Sequence, residues 1–235
     1  MPRSLFGLYD AVSESIGWVL SSQPYDAKYW ATYMTMKRRV RLKSDFGWGE
    51  VSHLQNFLRK ADIWSDFPAR GLTLVNAEFK GGDEDQRIDL LYMRIDGALL
   101  PCELKIGGEN KDAHGQLIRY ISDLYFQKVD LAWAKAANQK LLGTINDPTA
   151  KSLHAGKFDK FLADNKIDDR FVRVLPRTGV LMDEGFTPQL LKAVRYLNGY
   201  CGFAIRLLQI DTFVEDSWTK ECQDFKYRID FVDVQ

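Results

Sequence analysis

Asp89, Glu103 and Lys105 are the residues whose types and spacing best suit chemistry in this sequence. Asp89 stands in the run Arg87-Ile88-Asp89-Leu90-Leu91-Tyr92, and Glu103-Leu104-Lys105 closes a second apolar run fourteen residues further on. Two carboxylates hold a hard, oxygen-preferring ion such as Mg2+, with Mn2+ able to substitute, and leave positions for water and a phosphate oxygen. Such an ion polarises the phosphate and lowers the pKa of its water. An ammonium at Lys105 would orient that water or neutralise charge growing on phosphorus. The chemistry expected of the trio is hydrolysis of a phosphodiester.

Whether the three share one face is a question of register. Asp96-Gly97 separates the apolar runs Ile88 to Ile95 and Ala98 to Ile106, a strong hairpin signal. With a two-residue turn Asp89 would face Leu104, and the carboxylates would point to opposite sides of the sheet. A three-residue loop, Ile95-Asp96-Gly97, with Gly97 in the left-handed position of a G1 bulge, sets Asp89 opposite Glu103. Alternation supports this second register, because it collects Ile88, Leu90, Tyr92, Ala98, Leu100, Cys102, Leu104 and Ile106 on one apolar face. Asp89, Leu91, Met93, Leu99, Pro101, Glu103 and Lys105 share the other. Two acids directly across a sheet repel by about 0.2–1 kcal/mol or more relative to a neutral pair. A bound divalent cation is a simple offset.

Other elements must carry this hairpin. Leu5 to Leu20 places apolar residues three and four apart and predicts an amphipathic helix. A second helix is expected from Trp48, with Glu50, Leu54, Phe57, Leu58 and Ala61 on one face, from which Glu50 could reach a metal's outer shell. Leu72 to Phe79 reads as a strand. Lys111 to Gln127 reads as a helix with Leu117, Ile118, Ile121, Leu124 and Tyr125 inward, followed by a short strand over Val129 to Trp133. A largely helical region then extends to Asn165. Phe171 to Leu175, Gly179 to Asp183, Phe203 to Phe213 and Phe225 to Val234 are expected strands, and Thr187 to Leu197 a helix with Pro188 at its start. The fold class expected is α/β, with a hairpin early and a strand-helix-strand unit late.

Glu50, Asp89, Glu103-Leu104-Lys105 and Gln116-x-x-x-Tyr120 together resemble the PD-(D/E)xK nuclease superfamily. The run from Leu54-Gln55-Asn56-Phe57-Leu58 through Asp89 to Gly115-Gln116-Leu117-Ile118-Arg119-Tyr120 is most similar to its NucS-type mismatch endonuclease and RecB-like branches. The resemblance spans residues 50–124. It implies a magnesium-dependent DNA endonuclease on a restriction-endonuclease-like central mixed sheet flanked by helices. It further implies Glu50, Asp89 and Glu103 as metal-site acids and Lys105 as the catalytic lysine. Gln116 and Tyr120, one helical turn apart, would steady the lysine and a DNA phosphate. Ile88 stands where the superfamily's first motif has proline. The N-terminal residues have no counterpart, so the chain divides into a mainly helical accessory segment over 1–45 and a nuclease-like domain over 46–235.

The composition narrows the field. With 235 residues and 46% apolar residues the chain can bury a sizeable core. Thirty-two Lys plus Arg balance thirty-two Asp plus Glu, so contact with DNA must use a local patch rather than bulk charge. The run Lys37, Arg38, Arg39, Arg41 and Lys43, which holds no acid, is the candidate patch, and Trp48, between Gly47 and Gly49, could stack on a base. Cys102, Cys201 and Cys222 lack C-x-x-C spacing, and His53, His114 and His154 are scattered. Disulfide frameworks, zinc knuckles and His-based metal chemistries are therefore not expected. No signal peptide or membrane span is read, so the partner expected is DNA, with no membrane, in the cytoplasm or at the nucleoid. Cutting both strands would favour a homodimer. Substrate choice stays open between structure- or mismatch-directed cutting in repair or defence and sequence-specific restriction. A DNA-binding or assembly module that keeps this fold without cutting is the reading from another class.

Overall fold

A computed structural model describes residues 17–20, 38–47, 49, 54–55, 72–80, 87–107, 112–146, 148–214, 216–217, 219 and 227–234. The chain is α/β. Nine strands form one mixed sheet among the described residues: β1 Gly17–Leu20, β2 Arg38–Val40, β3 Leu72–Lys80, β4 Arg87–Arg94, β5 Ala98–Leu104, β6 Arg173–Val174, β7 Thr178–Asp183, β8 Ala204–Val214 and β9 Tyr227–Asp233. Among the described residues four helices accompany them: α1 Ala113–Phe126, α2 Leu131–Gly143, α3 Pro148–Asp164 and α4 Pro188–Tyr200. The strand order is β1-β9-β8-β7-β5-β4-β3, with β2 on β8 and β6 on β5 off that path. No helix among the described residues is long and apolar enough to cross a membrane.

The sheet changes character at β5. β3, β4 and β5 form an antiparallel meander, whereas β5, β7 and β8 run parallel. Parallel neighbours need a crossover, which α1, α2 and α3 supply between β5 and β7, and α4 between β7 and β8. A strand in this position is covered on both faces, and all seven residues of β5 are buried. Pro101 is tolerated there for a local reason. β6 pairs with Ala98 and Leu99, β7 begins at Cys102, and the missing N–H of Pro101 falls between the two ladders.

Packing fixes the helices on the sheet. On one side Leu117 and Ile121 of α1 meet Leu181, Ile205, Leu207 and Leu190 of α4. A Cβ on Gly179 would lie 2.8 Å from Leu117 Cδ1, so this residue's lack of a side chain lets α1 approach β7. The same side continues through Leu91, Met93 and Leu99 to Tyr120 and Leu124, then to α2 and α3. The opposite side is built on Leu90, Tyr92, Leu100, Cys102, Leu104 and Met182, closed by Leu42 and Leu54. A bulge in β3 between Leu74 and Asn76 frees two carbonyls, and buried Asn138 of α2 donates its side-chain amide to both, at 3.2 Å and 3.3 Å.

Several expectations require correction. The segment 129–133 is not a strand: α2 starts at Leu131 because Asp130 caps it, accepting from Trp133 N at 2.7 Å. The expected strand over 171–175 shrinks to Arg173–Val174. Tyr125 is exposed and Tyr120 takes the inward position on α1. In the segment 1–45 the described residues 17–20 and 38–40 are strands paired with β9 and β8. They belong to the main sheet rather than to a helical appendage. The rest of the predicted helix over 5–20 lies outside the described residues, as do most residues of the helix expected from Trp48.

Candidate active site

The hairpin that carries the acids turns through three residues. Gly97 has φ +77° and donates its N–H to Arg94 O at 2.8 Å. The β4–β5 ladder runs Met93↔Leu99, Tyr92↔Leu100, Leu91↔Pro101 and Leu90↔Cys102. This is the register in which Asp89 comes next to Glu103. The ladder itself stops at Leu90, and the Asp89 carboxylate accepts the Leu104 N–H at 2.8 Å. β4 leaves its partner there, which explains one departure: Ile88 packs with Leu91 and Met93 rather than with Leu90 and Tyr92. Opposite Asp89 in the β3 register stands Glu78, in a left-handed conformation with φ +52°. A non-glycine residue held so is strained, and the strain sits beside the site.

Glu103, Asp89, Lys105 and Tyr120 converge. Lys105 Nζ lies 2.5 Å from Glu103 Oε1, and the side chain of Glu103 is 1% exposed against 21% for Lys105. Asp89 is half-buried, and its charge acts on the Glu103 carboxyl. Burial, then the charge of Asp89, push the Glu103 carboxyl up to about 8, while Lys105 pulls the other way. Tyr120 of α1 is buried, and burial followed by the charges of Glu103 and Asp89 raises its pKa far above the ordinary phenol range. Gln116, one turn earlier, is half-buried on the same helix. Glu50 and Trp48 lie outside the described residues.

The arrangement leaves an excess of acceptors. Among the described residues, Glu103 Oε2 and Gln55 Oε1 are buried without a hydrogen-bond partner, while Glu103 Oε1 meets Lys105. Gln55 donates Nε2 to the backbone carbonyl of Asp89 at 2.9 Å. Leu54 N bonds Gly49 O, and Leu54, next to Gln55, is fully buried. Sequence reasoning gave Gln55 no role in the site, since a polar residue after an apolar one on a helix reads as a solvated edge. Carboxylate oxygens such as those of Asp89 and Glu103 are the donors that a hard divalent cation prefers. Among the described residues no third Asp, Glu, His or Cys joins Asp89 and Glu103 in a cluster able to hold a metal.

The basic run divides into separate roles. Arg39 pairs with Asp211, and Arg41 donates to Glu184 O at 2.6 Å. Arg38 is exposed on β2, and Lys43 lies in the turn that follows. Lys37 lies outside the described residues. Cys102 faces the apolar side, and burial followed by the charge of Asp89 pushes its thiol pKa well up, which suits a packing role rather than a nucleophile's. No protein-family model, curated protein or solved structure matches this chain.

Proposed function

We propose that this chain is a metal-dependent nuclease that hydrolyses DNA phosphodiesters, of the restriction-endonuclease-like kind. The observation that carries the reading is the buried Glu103 carboxylate ion-paired with Lys105 at 2.5 Å, in the hairpin register that sets Asp89 opposite Glu103. The antiparallel meander β3-β4-β5, followed by α1 and the parallel strand β7, supports it as the kind of central mixed sheet that the motifs imply. Asp89 and Glu103 would hold Mg2+ or Mn2+. Bound there, the ion supplies a polarised phosphate oxygen and a water of lowered pKa.

The chain's own residues do the rest. Lys105, held against Glu103, keeps its ammonium where negative charge collects on the phosphoryl group, a stabilisation that grows toward the transition state. Gln55, through its bond to the Asp89 backbone carbonyl, holds in place the strand that carries that acid. The decisive test is incubation of supercoiled, single-stranded circular, mismatched and branched DNA with Mg2+ or Mn2+. Wild-type chain is expected to cut at least one of them, and Glu103→Gln and Lys105→Ala to lose that activity while keeping the fold. Equal cutting by the variants would remove the proposal, and no cutting by the wild type would favour the non-cleaving module.

A further inference from the structure

Helix α4 carries an exposed face that the reading above does not use. Beyond its first turn, its exposed residues are Lys192, Arg195, Tyr196, Gly199 and Tyr200. Lys192, Tyr196 and Tyr200 follow one another at intervals of four and so stand in one row. The two rings lie 5.4 Å apart, centroid to centroid, at 32°, with Tyr196 60% exposed and Tyr200 83% exposed. They form one tilted stack open to solvent. Leu190 and Val194 of the same helix are buried and pack with Ile205 and Leu207 of β8, so the rings are surplus to the core. The helix holds a Lys and an Arg but no Asp or Glu, in a chain of zero formal net charge. At its C-terminal end Arg177 donates from Nη1 to the carbonyl of Cys201 at 3.0 Å and lies 5.9 Å from the centre of the Phe203 ring. That end of a helix repels anions, and the fixed guanidinium offsets it. Between the rings in sequence stands Gly199, where a Cβ would meet nothing within 4 Å. No packing need inside the chain accounts for a residue type that weakens a helix. The other exposed ring pair, Tyr125 and Phe126, meets edge to face at 83° and presents no shared surface of this kind.

From this geometry we infer that the exposed face of α4 binds an unpaired DNA strand, with bases stacking on Tyr196 and Tyr200 and phosphates meeting Lys192 and Arg195. The inference rests on the nuclease reading for the choice of DNA over RNA, and it deepens that reading by naming the substrate class as DNA with an unpaired stretch. Rings set among cations suit a single strand, because every base offers a flat face and every linkage a negative charge. A duplex keeps its base faces inside its own stack, so exposed rings gain little from it. Charge also decides against a second copy of this chain. Two such faces brought together would set Lys192 and Arg195 against their own copies with no acid on the helix to offset them. The face is separate from the carboxylates. Helix α4 returns from the end of β7 to the start of β8, so Tyr200 lies at the edge where the parallel strands begin, whereas Glu103 and Lys105 lie at the end of β5. The six residues of β7 span about 20 Å between those edges. A strand held on α4 therefore does not compete for the acids.

The test measures binding separately from cutting. Full-length Glu103→Gln protein is titrated into a short fluorescein-labelled thymidine strand, the same backbone with abasic sites, a blunt duplex and the matching uridine strand. The thymidine strand is expected to bind more tightly than the duplex and the abasic backbone. Adding Tyr200→Leu should weaken strand binding by about 5- to 100-fold, the loss of one stacked base, and leave binding to the abasic backbone unchanged. Tyr200→Phe, which keeps the ring, should retain strand binding. Lys192→Ala should make the slope of log K against log salt shallower by about 0.7, the loss of one phosphate contact on a single strand. Circular dichroism of each variant should match its parent, because these side chains lie outside the core. Equal affinity for strand and duplex would overturn the proposal, and so would undiminished strand binding in Tyr196→Leu and Tyr200→Leu. Conversion of a dimer to a monomer by Tyr200→Leu, with strand binding intact, would assign the face to a second copy and overturn it too. Preference for the uridine strand would overturn the choice of DNA. The nuclease reading fails separately. If the wild type binds the strand through these tyrosines but cuts nothing with Mg2+ or Mn2+, that reading falls and the α4 face stands; if the wild type cuts and the tyrosine variants bind the strand as before, only the α4 face falls.

Discussion

The buried carboxyl of Glu103 sets the pH behaviour of the site. Its pKa in the folded chain is raised, to about 8 from 4.5, by burial first and then by Asp89. The folded state therefore binds a proton that the unfolded state has released between those values, and this stabilisation is present in full below 4.5 and lost as pH rises through about 8. Thermal melts of the metal-free protein are expected to fall in Tm from pH 5.5 to 8.5 on this account, and Glu103→Gln to flatten that trend. A divalent cation must displace the same proton. Mn2+ affinity measured by calorimetry should therefore rise about tenfold per pH unit below 8, with proton release on binding. Gln55 belongs to the same scale. Gln55→Leu leaves the Asp89 carbonyl without its donor and is expected to cost about 1–3 kcal/mol in urea unfolding. It should also weaken Mn2+ binding, which a bond important only to folding would leave unchanged.

At the scale of elements, the β4–β5 hairpin was legible because two signals agree. Asp96-Gly97 marks the turn, and alternation on both strands rejects the shorter loop. Gly97 confirms the left-handed position, and its missing side chain has a second use: a Cβ there would lie 2.5 Å from Phe171 O. Gly97→Ala is expected to destabilise the fold by about 2–4 kcal/mol, from the left-handed penalty plus the backbone clash, measured by chemical denaturation. What was not legible depends on distant partners. Strand β6 exists because Arg173 and Val174 meet β5, with Arg173 bonding Asp96 O and Oδ2 at 2.7 Å and 2.9 Å, and no local pattern sets its length at two residues. The start of α2 depended on one cap, Asp130, beside apolar residues that suit either a strand or a helix. The place of Tyr120 was ambiguous for a similar reason, since aromatic residues occupy both faces of α1 near its end.

For the whole molecule, the meander and the parallel half share β5, so the site sits at the seam of one continuous sheet. Strands β1 and β2 join that sheet at its far side from β3, on β9 and β8. The sequence suggested an appendage there because short strands leave little periodicity and the basic run looks like a composition boundary. Ligand binding at the seam should be felt globally. A divalent cation at about 100 times its Kd stabilises the folded state by about 2.7 kcal/mol, which for a chain of this size corresponds to a Tm increase of about 5–10 °C. Differential scanning fluorimetry with Mn2+ and with EDTA should show that difference in the wild type, and a much smaller one in Glu103→Gln.

The loop over residues 95–97 carries a genetic consequence. Losing or gaining a single codon there would hardly alter composition or hydropathy, yet it would send the Asp89 carboxylate and the Glu103 carboxylate to different layers of the protein. Under the proposed function, activity would be as exposed to indels in this turn as to substitution of the acids themselves.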